Sequence, residues 1–519
     1  MSVDTEREFF HVNVVKSHEI QDFLSAQTYR PAITKAYNVL NNLKNIPLQK
    51  LCSVDIRQGA TPHFSDSGFQ CIKSKQTREV LLLDEGYELV DPNHVKNKSI
   101  VKLEYGDIVV TRQGSGTIGR ASIFLSKDQT YITDSLFRVS SNCDECDAGY
   151  LVTFLRTYTG QRLIEKGVYG STGQLNLSSS HIKQLPVFNI NLAAQKYIGE
   201  KVRQADRLRT LVKLLDCELK GLVLNDVLEE ANKTAIQSFN RVDVEDMFPR
   251  LDPKYYGNRS LSVHHAAASS SYSLDSLKKS INNGFEERDF VDSGIDYITV
   301  SEVSSGRIEL STAPKISELT DIPDKAYVNE RCVLVVRTGS IGTAVKVDIR
   351  DKNAVISSHL IKLEFDSEEL AAAVAAFLNS ASGKVLQRKI SYGAVQPQIG
   401  QDELLALPIP RFVLDNADSI LALTQAKENA TRCSRWLTQS AKLFVEDLIE
   451  GQLTESQLVS AQQALEEGDD SLDRALLERM TAKGIDGEGD PLFDDIDQLY
   501  DLLEQAEQAL DAEDTMAEA

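Results

Sequence analysis

Two kinds of hydrophobic pattern alternate along the first four-fifths of the chain. Short apolar runs bounded by Gly and Ser predict β-strands, as in DIVVTR, SLFRVSS, VLVVRT and HLIKLEF. Longer apolar stretches at Ala148–Lys166 and Glu368–Lys389 predict one helix late in each strand-rich region. The fold class predicted from these patterns is α+β, with mixed α/β modules in which strands dominate.

A third pattern follows each strand-rich region. Apolar residues recur there at steps of three, four and seven, the spacing of a seam between two helices. The first seam comprises Ile198, Ala205, Leu208, Val212, Leu215, Leu219 and Leu222. The second comprises Ile420, Leu423, Ala430, Leu437, Phe444 and Leu448, with Lys427, Ser434 and Ala441 at intervening positions. Mutual packing of the two helices is favoured over packing of each helix on its own module.

An internal repeat organises the chain. Val109–Gly119 matches Val335–Gly342, and Phe154–Phe188 matches Phe377–Phe412, with an offset of about 223 residues. A repeat of this length is a domain and not a solenoid unit. The chain is therefore a tandem duplication of two pseudo-symmetric modules. The predicted segments are a helical segment at 1–44, modules at 45–190 and 239–412, long helices at 191–238 and 413–451, and an acidic helical tail at 452–519.

Four stretches resemble the specificity subunit of type I restriction-modification enzymes. They are RLDPKYY (Arg250–Tyr256), Arg337–Gly342, GAVQPQIGQDELLALPIP (Gly393–Pro410) and FVEDLIEGQL (Phe444–Leu453). The resemblance covers residues 20–453 approximately. The first copy departs from the pattern, because YRPAITKAYN lacks Asp-Pro and Gln174-Leu175 replaces Gln-Pro.

The resemblance implies a DNA-reading function without catalysis by this chain. Each module would be a target-recognition domain that reads one half of a bipartite site on double-stranded DNA. The two long helices would form an antiparallel coiled coil that fixes the separation of the half-sites. Such a subunit recruits two DNA methyltransferase subunits and, in the restriction complex, motor-nuclease subunits. S-adenosylmethionine, ATP and magnesium would belong to those partners, and no cofactor is expected on this chain.

The residues that would contact DNA lie in Gly-Ser loops and near glutamines. Loops at Gly114–Gly119 and Gly339–Gly342 offer backbone N–H groups and hydroxyls beside an arginine, which suits phosphate contacts, and glutamine can read adenine edges. The alternative for each loop is a plain β-turn. The candidate DNA-binding residues are Arg112, Ser115, Thr117, Tyr169, Ser171, Thr172, Gln174, Arg337, Thr338, Ser340, Tyr392, Gln396 and Gln398.

Charge is distributed unevenly. The chain has a net charge of −21, of which −17 comes from residues 452–519, with 20 Asp and Glu against 3 Arg and Lys. The nearly balanced remainder can still place a basic groove on one face. Short amphipathic helices are predicted in the tail. It is expected either to regulate, covering a DNA-facing surface or docking a partner, or to be a solvated extension that aids solubility.

Other readings are weaker. No phosphate-binding loop, dinucleotide fingerprint or HExxH motif occurs, which disfavours a divergent methyltransferase or nuclease. An acidic DNA mimic that inhibits such a complex would need acid spread over the whole surface. Cys143 and Cys146 have metal-ligand spacing but no second pair, and His264-His265 is expected in a surface loop. The odd cysteine count and the absence of a leader predict a cytoplasmic protein.

Overall fold

The computed structural model describes residue 20 and residues 26–97, 100–114, 116–170, 175–237, 239–243, 247, 250, 252–393, 395–481 and 496–518. The chain divides into two compact units. The first comprises Met1–Leu211 and Ala430–Ala519, and the second comprises Val212–Asn429. Both units mix helices and strands, so the predicted α+β class is confirmed.

The first unit begins with twelve short strands and five helices within the described residues. The helices are α1 (Pro31–Asn41), α2 (Pro92–Asn97), α3 (Ala148–Arg156), α4 (Tyr158–Glu165) and α5 (Ser179–Gln184). The strands are β1 (Asn45–Pro47), β2 (Arg57–Gln58), β3 (Phe64–Ser65), β4 (Phe69–Ile72), β5 (Glu88–Val90), β6 (Ile108–Thr111), β7 (Ala121–Ile123), β8 (Thr130–Ile132), β9 (Leu136–Val139), β10 (Val168–Tyr169), β11 (Asn176–Leu177) and β12 (Pro186–Phe188). They form sheets ordered β2-β9-β6-β7, β3-β5-β4-β8, β1-β12 and β10-β11.

A long helix, α6 (Leu192–Val223), leads into the second unit. Its further helices are α7 (Asp226–Lys233), α8 (Asn258–Ala268), α9 (Leu274–Leu277), α10 (Val300–Val303), α11 (Glu368–Asn379), α12 (Ala381–Ile390), α13 (Gln401–Leu405) and α14 (Arg411–Asp415). The strands are β13 (Ser271–Ser273), β14 (Ser280–Asn283), β15 (Phe290–Val291), β16 (Ile295–Ile298), β17 (Lys315–Ile316), β18 (Cys332–Val336), β19 (Ala344–Lys346), β20 (Val355–Ile356), β21 (Leu360–Glu364) and β22 (Pro408–Pro410).

The sheets of the second unit repeat those of the first. Their orders are β14-β21-β18-β19, β15-β17-β16-β20 and β13-β22. In each unit the second of these sheets contains one parallel pair, β4 with β8 and β16 with β20. Matching strand order and matching strand direction show that the sequence repeat is a repeat of structure.

The position of strand β18 between two hydrophobic cores explains why its sequence is continuously apolar. Side chains of successive strand residues point to opposite faces. Val333 and Val335 belong to the core that includes α11, whereas Leu334 and Val336 belong to a second core on the other face. Because both faces are covered, every position of the strand is buried.

Each predicted late helix is broken into two, which corrects the prediction of one helix at Ala148–Lys166 and one at Glu368–Lys389. Thr157 and Ser380 have extended backbones, and their hydroxyls cap the next helix at the N–H groups of Gly160 and Gly383. A Cβ at Gly160 would lie 2.0 Å from the Phe154 carbonyl oxygen, and one at Gly383 would lie 2.1 Å from the equivalent oxygen. The repeated glycines therefore permit the tight helix-to-helix turn.

The second long helix, α15 (Ala417–Glu450), packs on α6 within each unit. In the first unit the rings of Tyr197 and Phe444 lie 5.6 Å apart, and the Ser434 hydroxyl donates to the Ala205 carbonyl at 2.7 Å. Tyr197 precedes Ala205 along α6, whereas their partners Phe444 and Ser434 follow the reverse order along α15, so the helices are antiparallel there. In the second unit, Lys427 on α15 pairs with Asp216 on α6 at 2.7 Å. Helix α6 ends earlier than predicted, because Asn225 caps the separate helix α7.

The tail forms three further helices of the first unit, α16 (Glu455–Glu466), α17 (Ser471–Thr481) and α18 (Asp497–Glu518). Their buried apolar side chains include Leu458, Ala461, Leu477, Met480, Leu499 and Ala506. Asp473 reaches α6, where it pairs with the Lys201 ammonium at 2.7 Å and accepts from the Tyr197 hydroxyl at 2.6 Å. The described tail is thus a packed part of the first unit, which departs from the expectation of a solvated extension.

Glu428 on α15 lies in a cluster of carboxyl groups with Asp348 and Asp351 in the second unit. Burial raises the pKa of Glu428 to about 8, and the nearby Asp348 carboxylate raises it further while Lys346 opposes the shift. Burial likewise raises the pKa of Asp351 to about 7. These groups prefer the protonated state in the folded protein, which makes the stability of this unit dependent on pH.

His264 and His265 lie on helix α8, which corrects their placement in a surface loop. The small residues around them suggested a loop, but Val263 and Ala267 are spaced four apart and bury one helical face. No group of three potential metal ligands occurs among the described residues. Within the same residues, no helix combines the length and the apolar run needed to cross a bilayer.

Candidate nucleic-acid interface

The first module presents the predicted Gly-Ser loop between β6 and β7. Strand β6 ends at Thr111, whose N–H donates to the Arg120 carbonyl at 2.8 Å across the loop. Gly114 has a φ of 136°, and a Cβ there would lie 2.3 Å from the Thr117 hydroxyl oxygen. The turn therefore depends on glycine at this position.

A second loop of the same module is tied to the first by the backbone. The hairpin of β10 and β11 pairs Tyr169 with Asn176, and Asn176 also forms a β-bridge with Gln113. The Leu177 N–H donates to the Arg112 carbonyl at 2.9 Å. The Tyr169 side chain is 45% exposed at this junction.

The second module builds the same junction. The Ile399 N–H donates to the Arg337 carbonyl at 2.9 Å, as Leu177 does to Arg112. Thr338 forms a β-bridge with Gln398, as Gln113 does with Asn176. Two loops that are about 60 residues apart in each copy are therefore held together by equivalent backbone bonds.

The second loop of this module forms a narrow projection. Tyr392 and Gln398 exchange two backbone hydrogen bonds of 2.9 and 2.7 Å, and the Gly339 N–H donates to the Pro397 carbonyl at 3.0 Å. Val395 at the tip is 99% exposed, and Gln396 beside it is also exposed. The loop thus offers one apolar and one amide side chain to a partner.

Most of the described candidate DNA-binding residues lie at one of the two junctions, but they differ in solvent exposure. Arg112, Thr117 and Tyr169 lie at the first junction, and Arg337, Thr338, Ser340, Tyr392, Gln396 and Gln398 lie at the second. Thr338 is only 8% exposed and the Thr117 hydroxyl oxygen is buried, so both depart from the expectation of a DNA-contacting side chain. Ser115, Ser171, Thr172 and Gln174 lie outside the described residues.

Sequence reasoning missed the cations that stand beside these loops. In the first module, Arg156 is half-buried, and desolvation followed by the nearby Arg120 guanidinium lowers its pKa to about 10, while Glu79 opposes the shift. Arg156 donates to the Arg78 carbonyl at 2.6 Å. Arg120 directly follows the Gly-Ser loop in the sequence, which is the only signal that pointed to it.

In the second module the missed cation is Arg250, from the RLDPKYY stretch. Its guanidinium carbon lies 5.5 Å from the centroid of the Tyr392 ring and 5.7 Å from that of Tyr255. It donates to the Ile390 carbonyl at 2.7 Å and pairs with Glu403 at 2.6 Å. These contacts fix the start of the exposed loop that carries Gln396.

Each junction therefore offers chemistry suited to nucleic acid. Glycine-rich backbone, an exposed tyrosine, glutamines and arginines are the groups that bind phosphates and base edges. Like charges lie close together in each module, Arg120 with Arg156 and Arg250 with Lys389. An anion bound beside either pair would be attracted by both of its cations.

Comparisons with known proteins give structural matches alone. The chain is similar to the S subunit of a type I restriction-modification system from M. genitalium, with 15% identity, a TM-score of 0.43, and coverage of 79% of this chain and 96% of that one. It is also similar to the HsdS subunit of Thermoanaerobacter tengcongensis, with 12% identity, a TM-score of 0.26, and coverage of 79% and 97%. No protein-family model matches the sequence, and no curated protein matches it significantly.

Proposed function

We propose that this chain is the DNA sequence-recognition subunit of a type I-like restriction-modification complex or a related anti-phage defence complex. Each module reads one half of a bipartite site on double-stranded DNA. The chain recruits DNA methyltransferase subunits, and in a restricting complex motor-nuclease subunits, which hold S-adenosylmethionine, ATP and magnesium. The chain itself carries out no catalysis.

The observation that carries this proposal is the duplicated junction of two loops. The same backbone bonds join Arg112 to Leu177 and Arg337 to Ile399, whereas the loop sequences differ between the copies, GSTGQL at Gly170–Leu175 and GAVQPQ at Gly393–Gln398. A fixed scaffold with varied exposed residues is expected of a protein that reads two different sequences with two similar modules.

The long helices support a fixed distance between the two half-sites. Helix α6 has 32 residues, and at 1.5 Å per residue it spans about 48 Å. Half-sites one helical turn apart on DNA lie about 34–36 Å from each other. The helix therefore has the length to set a spacing of one turn or slightly more.

Selection from a random double-stranded DNA library tests the proposal. The chain, purified with its methyltransferase partner, is expected to enrich two short motifs separated by a constant number of unspecified base pairs. Tyr169→Ala and Gln396→Ala lie in different modules, so each is expected to erase information in one motif only. Enrichment of no motif, or equal loss of both motifs in each variant, would contradict the assignment of one half-site to each module.

Assays with the same purified proteins distinguish this function from two alternatives, a DNA mimic and an enzyme that acts on DNA. A DNA mimic would bind the partner complex and compete with DNA. An enzyme would methylate or cleave DNA when purified alone. Neither result is expected of a recognition subunit, which should bind DNA specifically and leave it unmodified in the absence of partners.

A further inference from the structure

A cavity of about 300 Å³ lies within the second unit, beside the loop that carries Tyr392. Its lining includes Tyr255, His264, Lys389, Asp402 and Glu403. Arg250 stands over the rings of both Tyr255 and Tyr392 and so connects the cavity wall to the exposed loop. None of the described residues of the two interface loops, 339–342 and 391–399, lines this cavity.

Lys389 is the unusual member of the lining. Its side chain is buried, with 3% of the residue exposed, and its ammonium lies 3.2 Å from the centroid of the Tyr255 ring. Within the described part of the chain, no carboxylate, carbonyl or hydroxyl accepts a hydrogen bond from it. The ammonium is open to the cavity, so water is its acceptor there and its N–H groups can donate to a bound anion instead.

His264 adds a second donor near Lys389 in the cavity lining. It is half-buried, and burial followed by the nearby Lys389 ammonium lowers its pKa. Burial and then the Arg250 guanidinium lower the pKa of Lys389 to about 8. Lys389 and His264 thus lie close together, and an anion placed beside them would reduce their mutual repulsion and accept their hydrogen bonds.

The two carboxylates in the lining do not neutralise the positive charge near Lys389 and His264. The Glu403 carboxylate is paired with Arg250 at 2.6 Å, so its charge is already neutralised. Asp402 is exposed, where water screens its charge. An anion can therefore contact Lys389 and His264 without meeting an unpaired buried carboxylate.

We propose that this cavity binds a phosphate group, with the Lys389 ammonium and the His264 imidazole donating hydrogen bonds to its oxygens. The phosphate comes either from solution or from the DNA backbone next to the Tyr392 loop. The second source rests on the proposed function, whereas the first does not. The cavity is large enough for a phosphate together with part of its attached group.

The first module supplies a matched control. Lys166, which precedes Lys389 by 223 residues, is buried at 7% exposure, and its ammonium lies 4.0 Å from the centroid of the Tyr37 ring. A buried lysine on a tyrosine ring is therefore part of both modules. Removing either lysine should disturb packing to a similar degree, whereas only removal of Lys389 should abolish phosphate binding.

The experiment compares the full chain with its Lys389→Met and Lys166→Met variants. Inorganic phosphate is titrated by calorimetry and by thermal shift at pH 7, against sodium chloride of equal ionic strength. Saturable binding is expected in the wild type and in Lys166→Met, with at least a tenfold loss in Lys389→Met. Binding to the wild type is expected to weaken above pH 8, as the Lys389 ammonium loses its proton.

A second arm measures DNA binding and its salt dependence in the same proteins. If free phosphate does not bind but Lys389→Met alone weakens DNA binding and lowers the salt slope by about 1, the phosphate is that of DNA. The proposal is overturned if neither arm separates Lys389→Met from Lys166→Met. If the wild type binds no DNA at all, the proposed function fails, while the inorganic phosphate arm still decides this inference.

Discussion

Replacing Asp473 with alanine is expected to detach the tail from the first unit. The carboxylate and the Lys201 ammonium are 1% and 0% exposed and lie 2.7 Å apart. Asp473 also accepts hydrogen bonds from the hydroxyls of Tyr197 at 2.6 Å and Tyr500 at 2.8 Å. Removing the carboxylate leaves a buried ammonium whose one remaining acceptor among the described residues is Gln204, at 3.2 Å.

The expected loss is about 3–5 kcal/mol, the usual effect of breaking a buried ion pair by removing one partner. Whole domains are stable by only about 5–15 kcal/mol, so this loss is large enough to unfold a local segment. Burial raises the pKa of Tyr197, and so does the nearby Asp473 carboxylate, so its hydroxyl stays protonated and cannot replace the lost anion.

Hydrogen exchange read by mass spectrometry measures the effect directly. Amides of 455–481 and 497–511 are expected to lose protection in Asp473→Ala, while those of the second unit keep theirs. Asp470→Ala is the matched control, because its partly exposed pair with Arg474 on the same helix should contribute no more than about 1 kcal/mol. The double variant Lys201→Met with Asp473→Leu should recover most of the protection. Unchanged protection in Asp473→Ala would refute the assignment of the pair as the anchor of the tail.

Three further predictions concern the loops, the helix break and the carboxyl cluster. Reversing both loop arginines, with Arg112→Glu and Arg337→Glu, is expected to weaken DNA binding by the assembled complex and to lower the salt slope by about 2; an unchanged slope in a folded variant would make the loops structural turns alone. Gly383→Ala should lower the Tm markedly, because its Cβ would lie 2.1 Å from a carbonyl oxygen. Gly221→Ala is the control: its Cβ would meet no atom within 4 Å, so it should stabilise α6 by up to about 1 kcal/mol. Equal Tm values for the two variants would contradict this prediction. Glu428→Gln should stabilise the second unit at pH 9 and change little at pH 4. Folding raises the pKa of Glu428 to about 8, so the wild-type unit becomes less stable as the pH rises from the pKa of the unfolded chain to that value, and glutamine removes this effect. The same difference in the free energy of unfolding between variant and wild type at both pH values would refute this prediction.

The repeat was the part of the fold that sequence patterns predicted well. A duplication leaves matched residues wherever the backbone is tightly constrained, as at Gly160 and Gly383. Hydrophobic spacing likewise indicated that the long helices pack on each other, and the Ser434 and Ala205 contact lies at two of the seam positions. These signals survive because close packing restricts which residues are possible.

The details that sequence patterns missed depend on contacts between distant residues. Nothing local to Thr157 or Ser380 marks a helix break, because a hydroxyl acts as a cap only once the chain has turned. Arg250 and Tyr392 are far apart in the sequence, and only tertiary folding places one over the other. Acidic composition left a solvated tail open beside a regulatory one, because the apolar residues that its helices bury are widely spaced in the sequence.

The last prediction separates two effects of the acidic tail on DNA binding. Truncation after Gly451 removes a charge of −17 but also removes the Asp473 partner of Lys201 and the apolar side chains that the tail buries, so it is expected to destabilise the first unit. Any change in DNA binding by the truncated protein would therefore mix loss of charge with loss of structure. A variant that neutralises charge and keeps the fold is needed.

Five exposed carboxylates of the tail can be replaced by their amides without touching its buried face: Glu466, Glu467, Glu478, Asp501 and Glu504. Because the tail packs on α6, its charge should act on DNA only at long range. The amide variant is expected to bind non-specific DNA more tightly than the wild type at 0.01 M salt, where the Debye length is about 30 Å, and equally at 0.1 M, where it is about 10 Å. Salt-titrated fluorescence anisotropy with a short duplex measures this. Tighter binding that persists at 0.1 M salt would place these carboxylates next to the DNA path, and the long-range account would then be wrong.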